Sequence, residues 1–555
     1  MSQSSIPVAT LGVPRIGPRR ELKTALESYW AGKLPETELL QRASALRVAA
    51  WARQKAHGVT VIPSNDFSLY DHVLDTSVMV GAIPASYGWS GGKAPLSIYF
   101  AMARGARGEA EASCGHAEHA HEAGARAQEM TKWFDTNYHY MVPEFAPGQR
   151  FEVASYKPVD EYLEAKSLGF ETRPVLLGPV TFLKLGKAKE AGFDPLTLLV
   201  HLLPVYIDIL RRLSANGAEW VQIDEPCLVL DLDEKTKEAL RQAYSTIAHT
   251  LPSLKLMLAT YFGALGDNLD LALSLPVAGL HVDLVRAPEQ LETLSAKAPR
   301  GLVLSLGVID GRNIWRADLP KLADRLKGIV AKRGADHIQI APSCSLLHTP
   351  IDLDQETALD ADLKSWLAFS VQKMDELAAL SAFLSGDEAR AAAAFDASAR
   401  AAAARKASPK VHDAAVAARL KSVTAAMTRR KNAFATRAEA QRLRFALPRF
   451  PTTTIGSFPQ TAEVRKARSP TPKADWTIRP TTPSCAKRQR ARCAGRRRSA
   501  SMCWCTANSS ATTWCSILAS SSPASPSPKT PGCRATVRAA CVRRFCSATC
   551  HARNR

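Results

Sequence analysis

Short apolar runs alternate with longer stretches whose apolar positions recur every three or four residues. The runs at 59–62, 173–177, 220–223, 255–259, 279–282, 302–306 and 337–340 have the length and branched content of buried strands. Helical patterns fill the gaps, as at 195–214 and 233–250. Strand alternating with helix implies a parallel sheet, since parallel neighbours need a crossover connection. About eight such repeats predict an α/β fold of the (β/α)8 barrel type. Ligands of that fold meet the residues just after the strands. Here these are Gly178 to Thr181, Asp224-Glu225-Pro226, Asp283, Gly307 with Asp310, and Ser343-Cys344-Ser345. As a set they predict a site, while singly each fits a turn or a satisfied buried polar group.

Residues 11–30 predict a strand and turn, then a helix from near Arg19. Arg20 and Lys23 lie three apart and would share a helical face. They fit best a solvated basic first turn, with a grip on an anion, helped by the free N–H groups of a helix start, as the functional reading. The aromatic and amide-rich stretch 130–144 reads as packing, with Lys132 as the one group suited to clamp a carboxylate. Cys114, His116, Glu118, His119 and His121 are metal-ligand types, but their Ala, Gly, Arg and Glu flanks suggest an exposed loop and adventitious binding. The stretch 361–447, rich in Ala, Arg, Lys and Glu, predicts several helices, some packed on the barrel and some connecting domains.

Composition changes this picture at one place. A net charge of +20 over 555 residues suggests an anionic partner until it is divided. From Ser469 onward there are 16 Lys and Arg against the single acid Asp475. The first 468 residues hold 56 against 51, a balance of only +5. Nine of the 12 cysteines lie in the same tail, which leaves three for the main body and fits a reducing cytoplasm. The N-terminus shows no basic run followed by an apolar core, so no signal peptide is expected, and no apolar run reaches membrane-spanning length. Arg488, Arg490, Arg492, Arg496, Arg497 and Arg498 could hold nucleic acid without specificity, but no recognition fold accompanies them.

At 451–468, Thr452 to Ile455 suit a short strand, and Gly456-Ser457 let a turn approach a ligand. The motifs LGVPRIGPRRELK, MTKWFDTNYHYMVPEF, PVLLGPVTFLKLGK, EWVQIDEP, LHVDLVR, GRNIWRADL, SCSLLHTPIDL and TTTIGSFPQT are dispersed through the chain. With them, residues 11–468 resemble cobalamin-independent methionine synthase. The resemblance implies two (β/α)8 barrels joined by a helical linker, and methyl transfer from 5-methyltetrahydropteroyltriglutamate to homocysteine. It implies a folate grip by Arg20, Glu21, Leu22, Lys23 and Lys132, and homocysteine contacts from Ile455, Gly456 and Ser457. It also implies a zinc ion in the second barrel, held by His, Cys, Glu and Cys, that turns the homocysteine thiol into a thiolate. The first barrel offers no such ligands at Leu258 to Phe262, and Asp224-Glu225-Pro226 looks like the inactive counterpart of a second-barrel motif.

Beyond Arg468 the pattern breaks. Reading the codons of 503–515 one base out of phase permits Leu-Val-His-Gly-Glu-Phe-Glu-Arg-Asn-Asp-Met-Val, a hallmark of the family's second barrel. The same phase at 475–487 permits a believable helix. A frameshift is therefore expected. The resulting domain plan is a barrel at 1–360, a helical linker at 361–450, the start of a second barrel at 451–468, and an out-of-frame tail at 469–555. The second barrel would be essentially missing, the tail disordered, and no metal ligand or catalytic residue present in the chain. The expected product is a cytoplasmic monomer with no specific nucleic-acid or membrane partner and little activity. The alternative is a non-catalytic remnant that binds folate polyglutamate.

Overall fold

The computed structural model describes residues 5–106 and 125–450. They fall in two compact units, one running to Ser408 and one from Pro409. The strands are β1 (Ile62–Ser64), β2 (Met130–Lys132), β3 (His139–Met141), β4 (Glu144–Phe145), β5 (Thr172–Leu177), β6 (Lys187–Ala188), β7 (Trp220–Asp224), β8 (Lys255–Ala259), β9 (Gly279–Asp283), β10 (Val303–Ile309) and β11 (Ile338–Pro342). Seven of them form one sheet in the order β1-β5-β7-β8-β9-β10-β11, every pair parallel. The N-terminal segment closes it. Val8 bridges Ile340 and Ala9 bridges Val61, both parallel. Ala9 N–H donates to Ile340 O at 2.9 Å, and Val61 N–H donates to Val8 O at 2.9 Å. The predicted barrel is therefore present, with an eighth strand position that the apolar runs did not reveal.

The central strands are buried along nearly their whole length because helices cover their outer face and side chains fill the interior. Part of that interior is polar. Arg173 donates to Gln222 Oε1 at 2.9 Å and to Gln339 Oε1 at 3.2 Å, and His281 Nδ1 lies 2.9 Å from Ser305 Oγ. Burial lowers the Arg173 pKa to about 10.

The first helix spans Glu21–Trp30. Its Leu22 and Leu26 pack with Leu39, Phe67, Leu74 and Phe100 in a second apolar cluster. The helices Ser370–Leu384 and Glu388–Ala407 belong to the barrel's own unit. Val371, Met374, Leu377 and Leu380 join the main core, and Ser381 Oγ donates to Ile6 O at 2.5 Å. The compact unit thus runs past residue 360, and these two helices are among those of 361–447 that were expected to pack on the barrel. In the second unit, the helices Ala414–Lys421 and Phe434–Phe445 bury no residue. Among the described residues no helix is long and apolar enough to cross a membrane. The stretch 114–121, the turn at Ile455, Gly456 and Ser457, and the tail lie outside the described residues.

Candidate functional site

The residues that follow the strands divide into two kinds. Asp224, at the end of β7, faces the barrel mouth and lines a cavity there with Asp66, Asp75, Lys157 and Tyr261. Its neighbour Glu225 turns away from the mouth. The buried Glu225 carboxylate accepts from the N–H groups of Val180 and Thr181 at 3.2 and 2.8 Å and from Thr181 Oγ1 at 2.5 Å. It caps the helix Pro179–Leu185, and burial raises its pKa despite these donors. Asp283 accepts from the N–H groups of Phe262, Val285 and Arg286, so it too holds backbone. Asp310 does the same for Arg312, and Ser343 Oγ accepts from Gly311 N–H at 3.1 Å. Of the carboxylates in the sequence-derived set, only Asp224 lines the mouth cavity.

The mouth is rich in acid. Asp224 accepts from Gln222 Nε2 at 2.7 Å and from Tyr261 Oη at 3.0 Å. Asp66 accepts from Val13 N–H at 3.0 Å. Burial pushes both carboxyls up to about 7. Lys157 bridges Asp75 at 3.2 Å and Glu161 at 3.3 Å and donates to Asn65 Oδ1 at 2.7 Å. Arg15 donates to Tyr138 Oη at 3.0 Å and to the Tyr70 carbonyl. Burial lowers His72 to about 3 and His348 to about 4, so both imidazoles are neutral at physiological pH.

Six aromatic rings form a closed circuit at this end of the barrel. Centroid separations are 4.4 Å for Trp133–His72, 5.3 Å for His72–Tyr138, 6.3 Å for Tyr138–His348 and 5.7 Å for His348–Phe262. Phe262–Phe134 at 5.7 Å and Phe134–Trp133 at 5.1 Å complete it. Three of the rings sit on the hairpin of β2 and β3, whose register pairs Lys132 with His139. Asp135, at the hairpin tip, spans two arginines that follow β9 and β10. Arg286 Nη2 lies 2.6 Å from Asp135 Oδ2, and Arg312 Nη1 lies 2.8 Å from Oδ1. Burial acts to raise the Asp135 pKa, but the two guanidiniums outweigh it and hold the carboxyl below its usual range.

The predicted folate residues are dispersed. Arg20 is the N-cap of the first helix, in left-handed backbone with φ 67°, so it does not share a helical face with Lys23 as the spacing predicted. It lines a groove with Pro14, Arg15, His348 and Gln355, and its buried Nε has no hydrogen-bond partner. Glu21 is exposed and accepts from Arg19 N–H at 3.0 Å. Leu22 is core, 4% exposed, so its side chain is not available to a ligand. Lys23 is exposed and paired with Glu27 one turn on. Lys132 is exposed on the hairpin and forms no ion pair among the described residues.

The sequence reading missed Arg15, Asp66, His72, Asp75, Lys157 and the Asp135 pairs. Asp135 and Arg15 stand inside motifs quoted above, so their position was visible and their partners were not. Zinc needs several His, Cys or carboxylate groups in one place. Among the described residues no three such groups converge, and Cys227 and Cys344 are buried thiols whose pKa burial raises. These residues do not fit a zinc centre.

The fold and mouth define a (β/α)8 barrel closed by its own N-terminal segment, with acids, bases and aromatic rings gathered at the C-terminal ends of the strands. The chain belongs to the cobalamin-independent methionine synthase family. The model for the N-terminal domain of cobalamin-independent synthase matches residues 7–334, and that for the catalytic domain matches 450–493, so the family pattern continues past Arg468, where it was expected to break. A Nitrobacter winogradskyi protein named 5-methyltetrahydropteroyltriglutamate–homocysteine methyltransferase is 70% identical over 465 residues, 83% of this chain. Relatives of the same name from Rhodopseudomonas palustris and Caulobacter vibrioides are 65% and 61% identical over 470 residues. The chain spans 60% of the length of each of these relatives.

Proposed function

We propose that this barrel is the tail-binding half of a methyltransferase that moves the methyl group of 5-methyltetrahydropteroyltriglutamate to homocysteine, giving methionine. The observation that carries this reading is the Arg20 guanidinium, set in a groove with a buried Nε that lacks a partner. A donor left unsatisfied is costly, and an anionic ligand oxygen would satisfy it. Lys132, exposed and free of ion pairs among the described residues, supplies a second cation for the glutamate tail. Homocysteine contacts by Ile455, Gly456 and Ser457, and zinc, belong to the catalytic barrel, whose family match begins at 450. The test is equilibrium binding of the triglutamate folate to the full chain. A loss on Arg20→Ala is expected, and an unchanged affinity refutes the assignment.

The change of composition after Arg468 favours a second reading for the polypeptide as it stands: it binds folate polyglutamate without turnover. A slipped reading phase would account for that change. Methyl transfer assayed with added zinc, together with metal content of the purified chain, separates the two readings. Sequencing the DNA between the codons for Glu463 and Trp476 tests the slip, and an unbroken frame there removes it.

A further inference from the structure

We propose that Asp135 is a positioning residue that sets where Lys132 stands on the β2–β3 hairpin, whose Trp133 and Tyr138 line the mouth cavity, an inference that rests on the reading of Lys132 as a ligand of the folate tail. The two residues share one short hairpin. Its tip is stiff: Trp133 N–H donates to Tyr138 O at 2.8 Å, and Thr136 Oγ1 donates to Trp133 O at 2.7 Å. Trp133 is buried and anchors the strand from which Lys132 projects. A shift of Asp135 is thus passed to Lys132 through the constrained backbone of Trp133 and Phe134.

Asp135 in turn is held from two sides. Arg286 and Arg312 come from the ends of neighbouring strands, and Arg312 also donates to the Asp135 carbonyl at 3.2 Å. Arg312 lies over the Phe262 ring at 5.1 Å, so the latch also orders the aromatic circuit. Phe134 and Phe262 both have left-handed backbone, φ 51° and 78°, and their rings meet. Such strain persists where surrounding contacts over-determine it.

Exposure decides what the latch is for. The Asp135 side chain is 53% exposed, and ion pairs at that exposure add little to stability. Its value is geometric. It fixes on the barrel the hairpin that carries both Lys132 and Tyr138, a residue of the Arg20 groove.

The test uses the full chain and two probes, 5-methyltetrahydropteroyltriglutamate and its monoglutamate. Lys132→Ala is expected to cut the preference for the triglutamate by about tenfold. Asp135→Asn should cut it by roughly threefold to tenfold on the same scale, Asp135→Glu should restore part of it, and the double variant should be no worse than Lys132→Ala alone. Thermal unfolding should barely move. Amide exchange of 130–141, which needs no ligand, should speed up in Asp135→Asn. Full preference in Asp135→Asn, additive losses in the double variant, or unchanged exchange each overturn the inference. If Lys132→Ala keeps the preference while the Arg20 variant loses it, the Lys132 assignment falls, and the inference with it, and the Arg20 groove stands.

Discussion

Thr181 is joined to Glu225 twice: its N–H and its hydroxyl both donate to the same carboxylate oxygen, at 2.8 and 2.5 Å. The strand-end acid is thereby spent on the start of a helix. Gly178 makes room for it, since a Cβ there would lie 2.1 Å from Glu225 Cδ. Glu225→Ala should destabilise the barrel by roughly 3 kcal/mol, because it strands buried donors. Gly178→Ala should also be destabilising. Urea unfolding followed by tryptophan fluorescence measures both.

The mouth acids give the barrel a pH signature. Asp224 and Asp66 have folded pKa values raised to about 7 by burial, above their unfolded values. The folded state then holds more protons than the unfolded chain between about pH 4 and 7. Their contribution to stability is therefore largest in acid and is lost as the pH rises through 7. Asp224→Asn removes one such group while keeping its shape. It should be more stable than the parent chain at pH 8 and show a shallower decline. Melting temperatures from pH 5 to 8 test this.

Leu22 and Lys23 are adjacent and should behave oppositely. Leu22 is core, so Leu22→Ala should cost about 2–5 kcal/mol. Lys23 is exposed and paired within its own helix, so Lys23→Ala should change stability by less than about 0.5 kcal/mol. Denaturation midpoints of the two variants settle it.

Arg20→Ala should weaken the triglutamate folate by tenfold or more, from the roughly 1.5–3 kcal/mol of a charge-assisted hydrogen bond. The monoglutamate should lose much less. Calorimetry at two salt concentrations checks both, since a charged grip weakens as salt rises.

Six strands of the sheet were legible because each is a mostly buried run between turn residues, close to where it was expected, whereas β1 (Ile62–Ser64) meets the expected run 59–62 only at Ile62. Predicted 173–177 and 255–259 became β5 and β8 with at most one residue of difference. The closing segment was not, because the bridges at Val8 and Ala9 are too short to show a period. Arg20, Lys23 and Lys132 were legible as cations. Their separation was not, since it depends on the left-handed Arg20 backbone and on Glu27, which takes Lys23. Asp66, Lys157 and Asp224 come from distant parts of the chain, and only closure of the barrel brings them to one cavity.

That closure has a consequence for how the molecule is made. The segment at Val8 needs Ile340 as a neighbour, and ribosomes deliver the two at opposite ends of the domain's synthesis. Until the last strand emerges, the nascent sheet carries two open edges, each a template for wrong pairing. The price of a seamless ring is a long wait for its final link, and chaperone demand should be greatest during that interval.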